Sequence, residues 1–217
     1  MSLKLVLFDC DGTLADSGAF LSRVAKESFT EFRADWLVEK YHPEYLTMTF
    51  GGFLRHVEPH LQAGQSKAIQ EAFLKRLWDE RNSGRLTEPV FPGIPDMLEQ
   101  LGKTGFLMGV VTNKGGRGLD SVLDSNNIRH HFVTLHHADN SVPKPAPDMV
   151  LNALKATGVD KASCIVVGDT MNDVMTAQNA GVPVVGVHWG LQNPMPGAVR
   201  VVKAVAELPD VLAELLP

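Results

Sequence analysis

Short apolar runs alternating with helix-length segments constrain this chain more than any other feature of its sequence. The runs are Lys4–Phe8, Phe106–Thr112, Val133–His137, Cys164–Gly168 and Val184–Val187, and their unbroken, β-branched-rich character predicts strands buried on both faces. Between the later runs lie segments of helical length at about 94–103, 115–127, 146–157 and 172–180, with Pro95 near one start and Gly181 just past one end. Alternation of this kind predicts an α/β fold built on a parallel, doubly wound sheet.

One stretch breaks the alternation. Residues 16–86 contain no convincing strand and are expected to form an α-helical insert after the first strand, dividing the chain into an α/β body (1–15 and 87–217) and a helical unit. Leu21, Val24, Ala25, Ser28 and Phe32 recur at helical spacing, and Ile69, Phe73 and Leu77 form a second stripe that ends before Asn82-Ser83-Gly84. Both stripes are read as core packing. An insert that leaves the body after the first strand and returns at Thr87-Glu88-Pro89 is also suited to act as a lid over whatever that strand presents.

A length of 217 residues fits one large domain or a domain carrying a small insert. Lys and Arg number 20 against 25 Asp and Glu, a formal charge of −5, so no basic excess exists to neutralise a nucleic acid backbone. The first apolar run stops at Asp9, too short for a secretory signal, and no stretch approaches the ~20 apolar residues of a membrane span. A cytoplasmic protein acting on a small molecule is expected, with Cys10 and Cys164 as reduced, packed thiols.

Polar residues stand where the parallel strands should end: Asp9 and Asp11 after the first, Thr112 and Asn113 after the second, Asp169 and Asp173 after the fourth. Ligands of such sheets bind outside the carboxyl ends of the strands, so these groups are expected to converge, joined by Lys144 from the loop PKPAPD. FDCDGT is not a calcium loop, because Gly12 follows the second Asp directly and Phe20 fills the twelfth position. Gly115, Gly116 and Gly118 complete neither a Walker pattern nor GxGxxG. A carboxylate-rich site with one lysine and one hydroxyl suits a divalent metal and a phosphate. Mg²⁺ prefers oxygen ligands, and a carboxylate nucleophile needs metal and lysine charge nearby to approach a phosphate dianion.

These residues closely resemble the haloacid dehalogenase (HAD) superfamily of phosphotransferases, whose four motifs occur here in order: DCDGT at Asp9–Thr13, VVTN ending at Thr112-Asn113, Lys144, and GDTMND holding Asp169 and Asp173. The insert is similar to the family's small helical cap, and FDCDGTLADS, TNK and KPAPD are most similar to the phosphoglycolate phosphatase-like branch. The resemblance implies a Rossmann-like HAD core and Mg²⁺-dependent hydrolysis of a small phosphorylated metabolite. It implies Asp9 as the nucleophile that forms an aspartyl-phosphate and also binds metal, and Asp11 as the acid/base. Thr112 and Lys144 would grip the phosphoryl oxygens, with backbone N–H groups near Cys10 and Asn113 assisting. Asp169 would complete the metal site, to which Asp11 and Asp173 are also assigned, Asp173 as an outer partner or as the cap of the following helix.

Several readings stay open at this point. A β-phosphoglucomutase-like transferase shares the motifs, and a regulatory module could use the same fold. A dehalogenase would have no use for Asp11 or Asp169. A phosphonate hydrolase would need a lysine from the insert, where Lys26, Lys40, Lys67 and Lys75 occur but none is marked out. In MTFGGFLRH, Gly51-Gly52 and Arg55 or His56 could meet a substrate carboxylate or second phosphate, unless Arg55 simply lies on a surface helix. His130-His131 and His136-His137 are structural, since neighbours on a strand face opposite ways.

Overall fold

The computed structural model describes residues 3–31, 34, 36–40, 50–82, 88–190 and 194–216. Two compact units are present, one formed by the chain up to Asp16 and from Pro89 onward, the other by Ser17–Glu88.

The first unit is a parallel sheet of strands β1 (Lys4–Phe8), β2 (Phe106–Thr112), β3 (Phe132–His137), β4 (Cys164–Gly168), β5 (Val184–Val187) and β6 (Arg200–Val202) in the spatial order β3-β2-β1-β4-β5-β6. Alternation along each strand sorts its side chains between the two faces. Val6, Phe8, Val110, Ile165 and Val167 pack on one face with Leu98, Leu101, Leu119 and Leu123. Leu5, Leu7, Val111 and Val166 pack on the other with Met149, Val150, Val174 and Ala177. The helices that supply these partners are α5 (Ile94–Lys103), α6 (Gly116–Ser125), α7 (Asp148–Thr157) and α8 (Met171–Ala180). In α5 the buried residues Ile94, Met97, Leu98 and Leu101 follow helical spacing behind a proline in the first turn. Helix α8 ends where Gly181 adopts φ 73°, a left-handed cap that costs a glycine little.

Two expectations need correction. Strand β3 is not buried on both faces. It is one of the two edges of the sheet, and Val133 is 59% exposed there. Strand β6 and the helix α9 (Leu208–Leu215) were not anticipated. A three-residue strand carries too few side chains to show a period, and α9 lies beyond the last recognisable apolar run.

The second unit holds helices α1 (Gly18–Glu31), α2 (Trp36–Lys40), α3 (Phe50–Val57) and α4 (Ala63–Asn82). Leu21, Val24, Ala25, Ile69, Phe73 and Leu77, the stripes read from the sequence, share one core with Phe29 and Phe53; Phe32 lies outside the described residues. Ser28 enters this apolar core without penalty because its hydroxyl donates to the Val24 carbonyl at 2.7 Å. The Phe50 and Phe73 rings stack at 4.0 Å between centroids, joining α3 to α4.

Candidate active site

The strand order explains where the polar residues gather. Successive connections run from β1 outward to β3 and then return across β1 to β4, so the winding reverses beside β1, and a crevice opens at the carboxyl ends of β1 and β4. Asp9 directly follows β1, and its N–H donates to the Val167 carbonyl at 2.9 Å, which holds its carboxylate next to the end of β4, where Asp169 and Asp173 stand.

The DCDGT segment is wound tightly at this point. The Cys10 carbonyl accepts from Leu14 and Ala15 N–H at 2.9 and 2.8 Å. Gly12 sits at φ 84°, and a Cβ there would fall on the Asp169 carboxylate. Only glycine satisfies both conditions. The Thr13 hydroxyl donates to Asp169 Oδ1 at 3.0 Å, and the Trp189 indole N–H donates to the Thr13 carbonyl at 2.9 Å. The loop is therefore fastened to both β4 and the segment after β5.

Oxygen atoms of Asp9, Asp169 and Asp173 all lie within 4.8 Å of one another, and all three side chains are buried. Burial is the largest cause raising the Asp9 pKa, to about 6; Lys144 opposes the rise, and Asp173 adds to it. Asp169 is pushed well above the ordinary carboxylate value, first by burial and then by the charges of Asp173 and Asp9. Burial works against the Lys144 ammonium, but Asp173 and Asp9 outweigh it and raise its pKa. Lys144 bonds Asp173 Oδ1 and lies 3.0 Å from Asp9 Oδ1. Three buried carboxylates gathered beside Lys144 concentrate negative charge, and with an all-oxygen donor set they suit a hard divalent cation such as Mg²⁺.

Asp173 does more than the sequence indicated. Its Oδ2 accepts the Thr170 N–H at 3.1 Å and the Thr170 hydroxyl at 2.7 Å, so one carboxylate caps α8 while the other oxygen holds Lys144. The reading as helix cap is realised. The pattern Thr-x-x-Asp ahead of a helix was the signal for the cap.

The side chain of Asn113 is engaged within the protein. Its side chain accepts from the Lys144 N–H at 2.8 Å and donates to the Lys144 carbonyl at 3.3 Å. It clamps the backbone of the lysine loop to the end of β2. Thr112 is buried, and its hydroxyl accepts the Lys114 N–H at 3.2 Å.

Asp11 stands outside the carboxylate cluster among the described residues. The Lys114 ammonium instead bonds its Oδ1 at 2.7 Å, with 6% of the lysine side chain exposed. Lys114 is the site residue that reading the sequence missed. It was written in TNK, two positions past Thr112, but a lysine in a loop after a strand is ordinarily solvated.

Gly51, Gly52 and Arg55 lie within α3 rather than in a loop, and Arg55 is exposed on that helix. The apolar residues Phe53 and Leu54 bury one face of the helix, which leaves Arg55 outward within its unit. The histidine pairs are structural: His136 shares a hydrogen bond of 2.9 Å with Thr134, and the His130 and His131 rings lie against one another at 4.0 Å. Both cysteines are buried, and burial pushes the Cys164 thiol up to about 12, which suppresses thiolate chemistry. A groove of about 640 Å³ beside β3, lined by Leu123, Arg129, His130 and Phe132 among others, includes none of the site residues. Among the described residues no helix is long and apolar enough to cross a membrane.

The sequence profile described as haloacid dehalogenase-like hydrolase matches residues 6–187. A phosphoglycolate phosphatase of Aquifex aeolicus is 30% identical over 190 residues, covering 87% of this chain and 86% of that one. Among solved structures, CbbY from Rhodobacter sphaeroides in complex with phosphate superposes with a TM-score of 0.80 at 22% identity, covering 95% of this chain and 96% of that chain. A hydrolase from Pseudomonas syringae reaches 0.81 at 22% identity, with both chains fully covered. At these identities the structural likeness is one of fold.

Proposed function

The chain belongs to the haloacid dehalogenase-like hydrolases, as a phosphatase among them, and from that premise we propose that it hydrolyses a small phosphate monoester, phosphoglycolate-like or a sugar phosphate, through an aspartyl-phosphate on Asp9. The observation that carries this reading is the convergence of Asp9, Asp169 and Asp173 around Lys144 at the switch point of the sheet.

In this reading an oxygen of Asp9 attacks phosphorus and the bond to the ester oxygen breaks. Asp11 gives its proton to the departing alkoxide, then takes one from the water that attacks the acyl phosphate, releasing inorganic phosphate and restoring Asp9. Lys144, held by Asp173 and by the Asn113 clamp on its backbone, meets the negative charge of the phosphoryl oxygens, assisted by Thr112 and by N–H groups near Cys10 and Asn113. Asp9, Asp169 and, through its neighbours, Asp173 would hold Mg²⁺, which when bound supplies positive charge against the phosphoryl dianion. In this reading Asp11 acts through its side chain on the leaving group, with its Oδ1 held by Lys114. Arg55 is proposed to add a contact with the non-reacting part of the substrate.

The test is phosphate release with Mg²⁺ present, measured across phosphoglycolate, sugar phosphates, pyrophosphate and nucleotides. Turnover of small monoesters well above nucleotides and pyrophosphate is expected. Inactivity on all of them would overturn the enzymatic reading and favour a regulatory module, and transfer to a second sugar hydroxyl in place of water would favour a mutase.

A further inference from the structure

The turn after β3 reaches across to the segment that carries Lys114. That segment, Thr112–Gly116, joins β2 to α6, and the Lys114 ammonium bonds Asp11 Oδ1 at 2.7 Å. Helix α6 begins behind Gly115, so its N-cap residue has no side chain to offer, and its first turn holds no acidic residue. Asp139, from the turn after β3, supplies the acceptor instead: its Oδ2 takes the Gly116 N–H at 2.7 Å. We propose that Asp139 is a positioning residue for catalysis, holding Lys114 against Asp11 from the far end of that segment. The proposal rests on the phosphatase reading, because it bears on turnover only if Asp11 serves the leaving group.

The backbone of Lys114 is gripped from two sides. Its N–H donates to the Thr112 hydroxyl at 3.2 Å, and its carbonyl accepts the Ala138 N–H at 3.2 Å, so β2 holds it from behind and the turn after β3 from in front. That turn is itself braced. Asn140 Oδ1 accepts the His137 N–H at 2.9 Å and its Nδ2 donates to the Leu135 carbonyl at 3.1 Å, while the Asp139 N–H donates to His137 Nδ1 at 3.3 Å. The start of α6 has little room to shift, since a Cβ on Gly116 would lie 2.6 Å from His137 Cε1. The first N–H groups of a helix lack partners within it, so an acceptor placed here fixes where the helix begins.

A lysine is a long arm, and its aim depends on the backbone behind it. Five bonds of ~1.5 Å carry the ammonium about 6 Å from Cα, so a rotation of about 10° at Lys114 moves it by about 1 Å. That shift takes the bond to Asp11 out of hydrogen-bonding range. Asp11 in turn must come within about 2.6–3.2 Å of a leaving oxygen to give it a proton. Lys144 should be spared, because Asn113 grips its backbone beside β2 and Asp9 and Asp173 hold its ammonium. Loss of Asp139 should therefore fall on proton transfer to the leaving group and not on attack at phosphorus.

The experiment compares kcat/KM, which covers the steps up to departure of the leaving group, for two esters of opposite need. An alkyl ester, 2-phosphoglycolate or fructose 1,6-bisphosphate according to which turns over faster, loses an alkoxide and requires the proton. p-Nitrophenyl phosphate loses a stabilised phenolate and does not. Asp139→Ala should lower kcat/KM on the alkyl ester by about 10–100-fold, the cost of a displacement of about 1 Å, and on p-nitrophenyl phosphate by less than about threefold. Asp139→Asn keeps an acceptor for the Gly116 N–H and should stay within about threefold of the wild type on both. Equal losses on both esters would overturn the proposal and make Asp139 a structural cap; no loss on either, or an Asn variant as poor as the Ala variant, would overturn it too. Gly116→Ala disturbs the other end of the same bond and should give the same unequal losses, which decides the matter if Asp139→Ala does not fold. If the wild type turns over no ester, the phosphatase reading is what fails. Acetylation of lysines, read by mass spectrometry on the metal-free chain, then decides the placement: Asp139→Ala should raise labelling of Lys114 severalfold and leave Lys103, whose side chain is 73% exposed, unchanged. Equal labelling of Lys114 in variant and wild type would overturn the proposal.

Discussion

Replacing Asp9, the proposed nucleophile, should make the metal-free protein more stable. Asp9 is buried and sits with Asp169 and Asp173 around a single ammonium, and its pKa rises from 3.8 to about 6. A carboxyl group whose pKa is higher folded than unfolded binds protons more tightly in the folded state, so stability is greatest below the unfolded value and is lost as the pH climbs through the folded one. The window therefore runs from about pH 4 to just above about pH 6, and the loss stays constant at higher pH. At ~1.4 kcal/mol for each tenfold change in proton affinity, the rise amounts to about 3 kcal/mol. Asn imitates the protonated form and leaves the Lys144–Asp173 pair in place, so Asp9→Asn should recover about 1–3 kcal/mol above pH 7, the lower figure allowing for imperfect packing of the amide. For a chain of this length that is a rise in Tm of roughly 2–4 °C per kcal/mol. The assay is thermal denaturation in chelator at about pH 4.5 and about pH 8, followed by a repeat at the higher pH with Mg²⁺. Stabilisation should be small in acid and full at the higher pH, and Mg²⁺ should stabilise the parent more than the variant. A variant no more stable than the parent at the higher pH, or equally stabilised at both, would refute the argument that these carboxylates are held together against their own charge.

Both Asp9→Asn and Asp11→Asn should abolish turnover with the fold retained, the first for want of a nucleophile and the second of a proton carrier; near-normal turnover by the Asp9 variant would exclude a covalent aspartyl-phosphate. Turnover should stop in chelator and return with Mg²⁺, while excess Ca²⁺ competes for the same oxygens and inhibits; full activity in chelator would remove the metal from the mechanism. Asn113→Ala should lower kcat with little change in thermal midpoint, because it frees the backbone of Lys144 without opening the core; a fall in stability with kcat unchanged would make the clamp structural. Arg55→Ala should lower kcat/KM on the best ester by about 10–100-fold and on p-nitrophenyl phosphate much less; no loss on either would return Arg55 to the solvated face of α3.

The fold was legible wherever burial forces a pattern. Strands β1, β2, β4 and β5 are continuous apolar runs because both of their faces are covered, as the split of Leu5 and Leu7 from Val6 and Phe8 between two cores shows. Edge position erases that signal. Strand β3 mixes Thr134, His136 and His137 with apolar residues, and β6 exposes Val201, so the first was misjudged in burial and the second was not seen. Strand order is not written in any local pattern either, yet it is the order that brings β1 beside β4 and makes Asp9 and Asp169 neighbours across 160 positions of sequence.

Within the site, the residues legible in advance were those whose spacing is fixed by chemistry on one short segment, such as Asp9 with Asp11 and Asp169 with Asp173. Those missed act across segments. The Asn113 amide has a donor and an acceptor, and the Lys144 peptide presents the matching pair, a pairing between two distant segments that no local pattern records. A substrate would have to displace that clamp to use its side chain. A loop lysine is normally in water, and nothing in TNK records that the Lys114 ammonium is buried against Asp11. The two lysines divide the site: Lys144 stands with Asp9 and Lys114 with Asp11. Lys144→Met should therefore lower turnover on every ester alike, because the charge it removes faces the phosphoryl group common to them all; a loss confined to one ester would refute that placement.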